Sequence, residues 1–183
     1  NVDSRFIVEN FDVNLDAFVA LVETPENSCI SWDLMKPVEK FGYHLMNVEG
    51  VRSVVSLPEA AKTVYSVWME GNPKFRELPR NRYTLVLTTN SFGPSTGLTD
   101  RNCNFLSVIV FTEDHKAATI KRLIGAADEW IAENGPKYPE HTFRLASGNV
   151  GLIAATNDVI ERSELPILFY VFGVIIFLVL VAY

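Results

Sequence analysis

The chain has 183 residues, of which 48% are hydrophobic and 21% are charged, and its formal net charge is −6. This composition is that of a folded protein and excludes an intrinsically disordered chain. Because nucleic-acid affinity depends mainly on concentrated Lys and Arg residues, the acidic balance also argues against nucleic acid as a partner.

The first sixty residues contain the pattern strand, helix, strand. The apolar, β-branched run at 15–24 predicts a central strand. A helix is predicted over 31–47, although Pro37 is expected to kink it or to mark a later start. Residues 51–59 then predict a second short strand that Pro58 ends. Such a unit normally joins two parallel strands through a right-handed crossover.

A long connection at about 60–103 follows the second strand. It is too long for a tight hairpin, and its Pro, Gly and Asn residues predict that it is not regular throughout. Residues 82–90 within it have the composition of an additional edge strand. We therefore interpret 60–103 as an insertion in the domain.

The pattern strand, helix, strand then occurs a second time. Residues 104–113 are the most strand-like stretch of the chain, and Asp114 is a capping residue for the amphipathic helix that follows. Gly135 ends that helix, and a final short strand is predicted from about His141. Two such units in one sheet predict an α+β domain with the ferredoxin-like split βαβ arrangement (βαββαβ) and both helices on one face.

Two cysteines test this layout. Cys29 follows the first predicted strand, and Cys103 precedes the third. These strands are antiparallel neighbours in the expected sheet, so both thiols would lie at one rim, where a disulfide is geometrically feasible. The alternative is two unrelated reduced cysteines. A bridge would indicate an oxidising compartment such as the bacterial periplasm.

The last nineteen residues, 165–183, are apolar and carry no charge. As a helix with a rise of about 1.5 Å per residue they would reach roughly 28 Å, close to the thickness of a bilayer core. We therefore predict a domain at 1–164 and a transmembrane helix at 165–183, truncated because no flanking charge follows Tyr183. A buried core helix is the alternative.

Enzyme chemistry has little support in the sequence. The three histidines, His44, His115 and His141, are far apart and lack metal-ligand spacing with the cysteines. No Gly-rich phosphate-binding loop follows a strand, and no pair of carboxylates stands out for acid–base catalysis. We predict that the chain is not an enzyme, with no catalytic, cofactor-binding or metal-binding residues.

Several stretches resemble the large periplasmic loops of exporters of the resistance–nodulation–division (RND) superfamily, in particular permeases related to hydrophobe/amphiphile efflux and MMPL-type exporters. These stretches are NVEGVRSVVSLPEAAK (47–62), WMEGNPKFRELPRN (68–81), STGLTDRNCN (95–104), FTEDHKAATI (111–120) and GNVGLIAATNDVIERSELPIL (148–168). The resemblance extends over nearly the whole chain.

The resemblance implies that 1–164 is a periplasmic porter domain, which lines or gates the substrate path, and that 165–183 is the second or eighth membrane helix of the transporter. The implied location is the bacterial inner membrane. The implied partners are membrane lipid, other domains of the same transporter and hydrophobic or amphiphilic small molecules, and a homo-oligomer is compatible with this arrangement. The proton-coupling carboxylates of the family lie in a later helix, outside this chain.

Five large apolar residues of the insertion are candidates for contact with cargo or with a neighbouring domain. They are Tyr65, Trp68, Phe75, Tyr83 and Phe92. Local packing of the insertion is the alternative for each of them. The alternative function is a membrane-anchored periplasmic binding or assembly module with no transport activity of its own.

Overall fold

The computed structural model describes residues 17–114, 116–145 and 149–182; within the last segment, side chains are described for Ser163 and 166–182. These residues form an α+β protein with four strands and five α-helices. In chain order the elements are β1 Ala17–Glu23, α1 Trp32–Met46, β2 Val51–Ser56, α2 Leu57–Trp68, α3 Arg82–Thr89, β3 Phe105–Thr112, α4 Ala117–Asn134, β4 Thr142–Leu145 and α5 Asn149–Ala182.

The four strands form one antiparallel sheet in the order β2-β3-β1-β4. The first strand therefore has a partner on each side, which confirms the prediction of a central strand; Leu15 and Asp16 at its predicted start lie outside the described residues. Because β1 and β2 are both antiparallel to β3, they run in the same direction, as predicted for strands joined by α1.

One face of this sheet carries the core. Phe18, Ala20 and Val22 alternate along β1 and are buried, and the register sets Phe18 opposite Val110 and Val22 opposite Leu106. This alternation follows from the period of two in a strand. The buried side chains of the helices complete the core, and they include Val38, Phe41 and Leu45 of α1 and Ile120, Leu123 and Ala127 of α4.

An aromatic cluster joins α1, α4 and β4. The ring of Phe41 lies 5.0 Å from Trp130 and 5.2 Å from Phe143, and the Trp130 and Phe143 rings are 5.1 Å apart. The rings are tilted or edge-on, which is the arrangement that their quadrupoles favour. The cluster attaches the short edge strand β4 to both helices.

The proline in α1 does not delay the start of that helix. The helix begins at Trp32 and contains Pro37, whose side chain is buried. Pro37 lies in the second turn, so the hydrogen bond that it removes is the one to the carbonyl of Asp33, near the helix start. Of the two effects expected of Pro37, a kink or a later start, the later start is therefore not observed.

The insertion is more regular than its composition predicted. Helix α2 follows β2 directly, and Pro58 occupies its first turn, where a missing N–H costs little. The edge strand predicted at 82–90 is wrong, because Arg82–Thr89 is the helix α3. The side chain of Asn81 accepts hydrogen bonds from the N–H groups of Tyr83 and Thr84, and this cap starts a helix in spite of several β-branched residues.

The second strand–helix–strand unit agrees with the predicted pattern, with one change. Helix α4 begins at Ala117, and the cap residue is Lys116 rather than Asp114. Asp114 instead accepts a hydrogen bond from the N–H of Lys116 in the preceding turn, at 3.2 Å. Hydrogen bonds from the side chains of Lys116 and Thr119 lower the pKa of Asp114 to about 2.

The last helix, α5, is continuous from Asn149 to Ala182 and contains Pro166. Its backbone lies against β1 and α4. The large apolar side chains from Ile167 to Val181 are exposed. Over the described residues, no helix combines the length and the hydropathy that crossing a bilayer requires. The predicted span at 165–183 also includes Tyr183 and the side chain of Leu165, which lie outside the described residues.

Candidate functional site on the insertion

Two contacting helices of the insertion, α2 and α3, present large apolar side chains to solvent. We call these side chains, together with that of Met69 directly after α2, the insertion surface; they are Val67, Trp68, Met69, Tyr83 and Leu87. Trp68 is 49% exposed and Tyr83 is 73% exposed. Large apolar side chains that two contacting helices expose to water are candidates for contact with a partner or a ligand.

The five residues predicted as contact candidates fall into three groups. Trp68 and Tyr83 belong to the insertion surface. Tyr65 and Phe75 are half-buried and pack edge to face against each other, with ring centroids 5.8 Å apart. Phe92 packs against the hydrophobic core, as the alternative of local packing proposed.

Three members of the insertion surface were not predicted from the sequence. Val67 and Met69 flank Trp68, and Leu87 follows Tyr83 by one helical turn. The spacing of Tyr83 and Leu87 places them on one face of a helix. A strand over residues 82–90 would also place the two side chains on one face, but next to different neighbours.

The insertion is anchored to the domain by buried leucines. Leu78, Leu85 and Leu98 belong to the hydrophobic core, and so do Leu57 and Ala61 of α2. Helix α3 also contacts the short 3-10 helix Ser28–Ile30 that follows β1. These buried residues attach α2, α3 and the loop before β3 to the core, whereas residues 67–74 between them are exposed.

A disulfide closes the base of the insertion. Cys29 and Cys103 are bonded, with their Cα atoms 5.6 Å apart. Backbone hydrogen bonds run beside the bridge, from the N–H of Asn27 to the carbonyl of Asn102 at 2.9 Å and from the N–H of Ser28 to the carbonyl of Cys103 at 3.1 Å. The end of the insertion is therefore tied to the end of β1 by covalent and hydrogen bonds together.

Asp100 shapes the loop that carries Cys103. Its carboxylate accepts hydrogen bonds from the N–H groups of Asn102 at 3.1 Å, Asn104 at 2.8 Å and Phe105 at 3.4 Å. Partial burial raises the pKa of Asp100, but these backbone donors outweigh it and lower the pKa below the ordinary value of 3.8. The ionised carboxylate thus stabilises the loop.

The exposed side chains of this region are suited to contact with another molecule. Trp68 and Tyr83 offer flat apolar surface, and each aromatic ring also has a polar group that can form a hydrogen bond. Over the described ranges, no group of three or more His, Cys, Asp or Glu residues is arranged to hold a metal ion. The insertion surface suits an apolar or amphiphilic ligand or a protein partner.

We predict that the chain contains no free thiol and that removal of the bridge destabilises it. Replacement of both cysteines, Cys29→Ser with Cys103→Ser, is expected to lower the free energy of unfolding by about 2–4 kcal/mol, because the bridge closes a long loop. Urea unfolding of the variant and the unmodified chain measures the difference. Two thiols titrated in the denatured, unreduced chain would contradict the prediction.

The Asp100 carboxylate should make stability depend on pH. Its folded-state pKa is lowered, so its contribution is present above about pH 4 and is lost as the pH falls through the folded-state value. Asp100→Asn is expected to reduce stability at pH 7 by no more than about 1 kcal/mol, and by less at about pH 2.5. Urea unfolding at both pH values tests this.

The matched control for that experiment is Asp128→Asn, which removes the same charge from an exposed position of α4. A stability loss in Asp100→Asn that is equal at both pH values would show that the carboxylate does not act through its ionised form. A loss that also appears in Asp128→Asn would point to net charge instead of the loop hydrogen bonds.

Comparison with known proteins adds no constraint to these observations. No family model matches the chain, and the curated proteins and the solved structures also contain no match.

Proposed function

We propose that this chain is the periplasmic porter-type domain of an RND-type exporter together with the membrane helix that follows it. In this proposal the domain has the ferredoxin-like fold with an insertion between β2 and β3. The sheet order β2-β3-β1-β4 and the antiparallel pairing of β1 with β3 support that fold. The inferred location is the bacterial inner membrane, with the domain in the periplasm.

The observation that carries the proposal is the apolar end of α5. Its side chains from Ile167 to Val181 are large, apolar and exposed, with Phe169 at 77%. Each such side chain gains about 1.5–3 kcal/mol when it is removed from water, so their joint exposure is very unfavourable in an aqueous environment. A helix satisfies its own backbone hydrogen bonds, which lets it enter lipid at low cost.

The length of α5 fits a helix that begins outside the bilayer. Its 34 residues correspond to about 51 Å at a rise of about 1.5 Å per residue. The hydrocarbon core is about 30 Å thick, so the first part of the helix would stay with the domain. The contacts of its backbone with β1 and α4 support a coupling of helix displacement to the sheet.

The insertion surface gives the domain a role in this proposal. Trp68 and Tyr83 would meet hydrophobic or amphiphilic cargo, or an adjacent domain of the same transporter, during the transport cycle. The disulfide between Cys29 and Cys103 supports an oxidising compartment, as the periplasm is.

A second candidate is a membrane-anchored binding or assembly module without transport activity. The composition of the insertion surface favours it, because exposed Trp, Tyr and Met residues are enriched in protein–protein interfaces. Both candidates place α5 in lipid. They differ in whether the complete protein moves a small molecule across the membrane.

We predict that the full chain associates with lipid through α5. Phospholipid vesicles are expected to carry the chain to the top of a flotation gradient, whereas the double variant Phe172→Asp, Ile176→Asp should remain at the bottom. Each charge costs about 2.5–3.5 kcal/mol near the centre of a membrane helix. Val67→Asp on the insertion surface is the matched control and should float. A native chain that stays monodisperse without lipid or detergent, and does not float, would contradict the proposal.

We also predict that the insertion surface is needed for export. In the complete transporter, Trp68→Ala combined with Tyr83→Ala is expected to reduce efflux of a hydrophobic dye about fivefold or more, since loss of a buried aromatic contact typically costs more than about 1 kcal/mol. Met46→Ala on α1 removes an exposed apolar side chain elsewhere and should have no effect. Unchanged efflux in a correctly folded double variant would exclude a cargo role, and efflux absent in the native protein would favour the second candidate.

A further inference from the structure

A groove of about 460 Å³ lies along α1, away from the residues of the insertion surface. Lys36, Glu39, Lys40 and Tyr43 line it from α1, Lys62 from α2 and Trp130 from α4. Its volume is within the range of small-molecule sites, and it combines aromatic walls with a few charged groups.

Two of the three lysines belong to an ion-pair network that ties α1 to α2. The carboxylate of Glu39, which is largely buried, contacts both Lys36 and Lys62, and Lys62 lies 2.6 Å from Glu59. Burial lowers the pKa of Lys62, but Glu59 and Glu39 together raise it above 10.5, so the ammonium stays charged. Two carboxylates thus neutralise two lysines, and this network has a sufficient structural role.

Lys40 does not belong to that network. Its ammonium donates a hydrogen bond to the hydroxyl of Tyr138 at 3.1 Å and lies 5.8 Å from the centre of that ring. Within the described part of the chain, no carboxylate forms an ion pair with Lys40. An ammonium has three donor hydrogens, so two remain for another acceptor. Among the described residues, Lys40 therefore contributes a positive charge without a carboxylate partner to this groove.

Aromatic surface lies next to this charge. Tyr43 follows Lys40 by three residues, so the two side chains lie on the same face of α1, and Tyr43 is 67% exposed. Trp130 also lines the groove; it is 8% exposed and is held in place by its packing against Phe41, Phe143 and Tyr138. An exposed phenol ring, the accessible part of a fixed indole and an ammonium with unused donor hydrogens line one groove and suit a flat ligand with an anionic end.

We propose that this groove binds an organic anion that consists of a carboxylate on an apolar, flat body. Lys40 pairs with the carboxylate, and Tyr43 and Trp130 contact the body of the ligand. The site is distinct from the insertion surface and does not depend on the proposed export function. A purely structural role of the ion-pair network accounts for Lys36 and Lys62, but Lys40 and Tyr43 lie outside that network.

The test compares two probes of the same shape, 1-naphthoate and its uncharged analogue 1-naphthamide. Isothermal titration calorimetry uses the full chain in uncharged detergent micelles, with empty micelles as the blank. The native chain is expected to bind the carboxylate about fivefold more tightly than the amide, as expected for one partly solvated ion pair. Equal affinity for the two probes would overturn the proposal.

Variants assign this preference to residues. Lys40→Gln should bring the affinity ratio of the two probes close to unity, and Tyr43→Ala should weaken both probes to a similar degree. Lys74→Gln removes an exposed lysine from the insertion and should leave the ratio unchanged. Both Lys40 and Tyr43 are exposed, so the variants are expected to fold, which an unchanged urea midpoint verifies. A ratio that persists in Lys40→Gln would place the anion elsewhere and overturn the assignment.

Discussion

The pairing of β1 with β3 is the constraint on which the rest of this structure depends. Seven residue pairs, from Ala17 opposite Phe111 to Glu23 opposite Phe105, form the centre of the sheet. A slip of one residue would turn Phe18 and Val22 away from the helices, so burial of these side chains sets the register. The same pairing continues beyond the strands, where the N–H of Thr24 donates to the carbonyl of Asn104 at 2.8 Å.

This pairing also explains why the insertion can be long and still well positioned. The chain leaves the sheet at β2, which is an edge strand, and returns at the base that the disulfide and the Asp100 loop hold beside β1. Between these points, buried leucines such as Leu78 and Leu85 attach the insertion to the core. The apolar side chains that point outward are therefore presented by a supported layer, which is what a contact surface for cargo or a partner requires.

The two candidate binding regions differ in chemistry because different buried side chains pack against them. The insertion surface is apolar and rests on apolar anchors, so it offers area and shape. In the groove along α1, the buried carboxylate of Glu39 forms ion pairs with Lys36 and Lys62. Lys40 is exposed and instead donates a hydrogen bond to the hydroxyl of Tyr138. One region therefore suits hydrophobic contact, and the other suits recognition of an anion.

The sequence by itself determined the elements whose burial follows a regular period. The alternation in β1 and β3 and the apolar stripes of α1 and α4 are visible without coordinates, because one side of each element must face the core. The juxtaposition of Cys29 and Cys103 followed from the predicted strand order. Local capping and tertiary packing decided the secondary structure of the insertion. The cap by Asn81 and the burial of Leu85 stabilise the helix α3, although the β-branched composition of this segment indicates a strand. Only the tertiary structure brought Lys40, Lys62 and Trp130 to one groove, since they lie on three helices and no local spacing relates them.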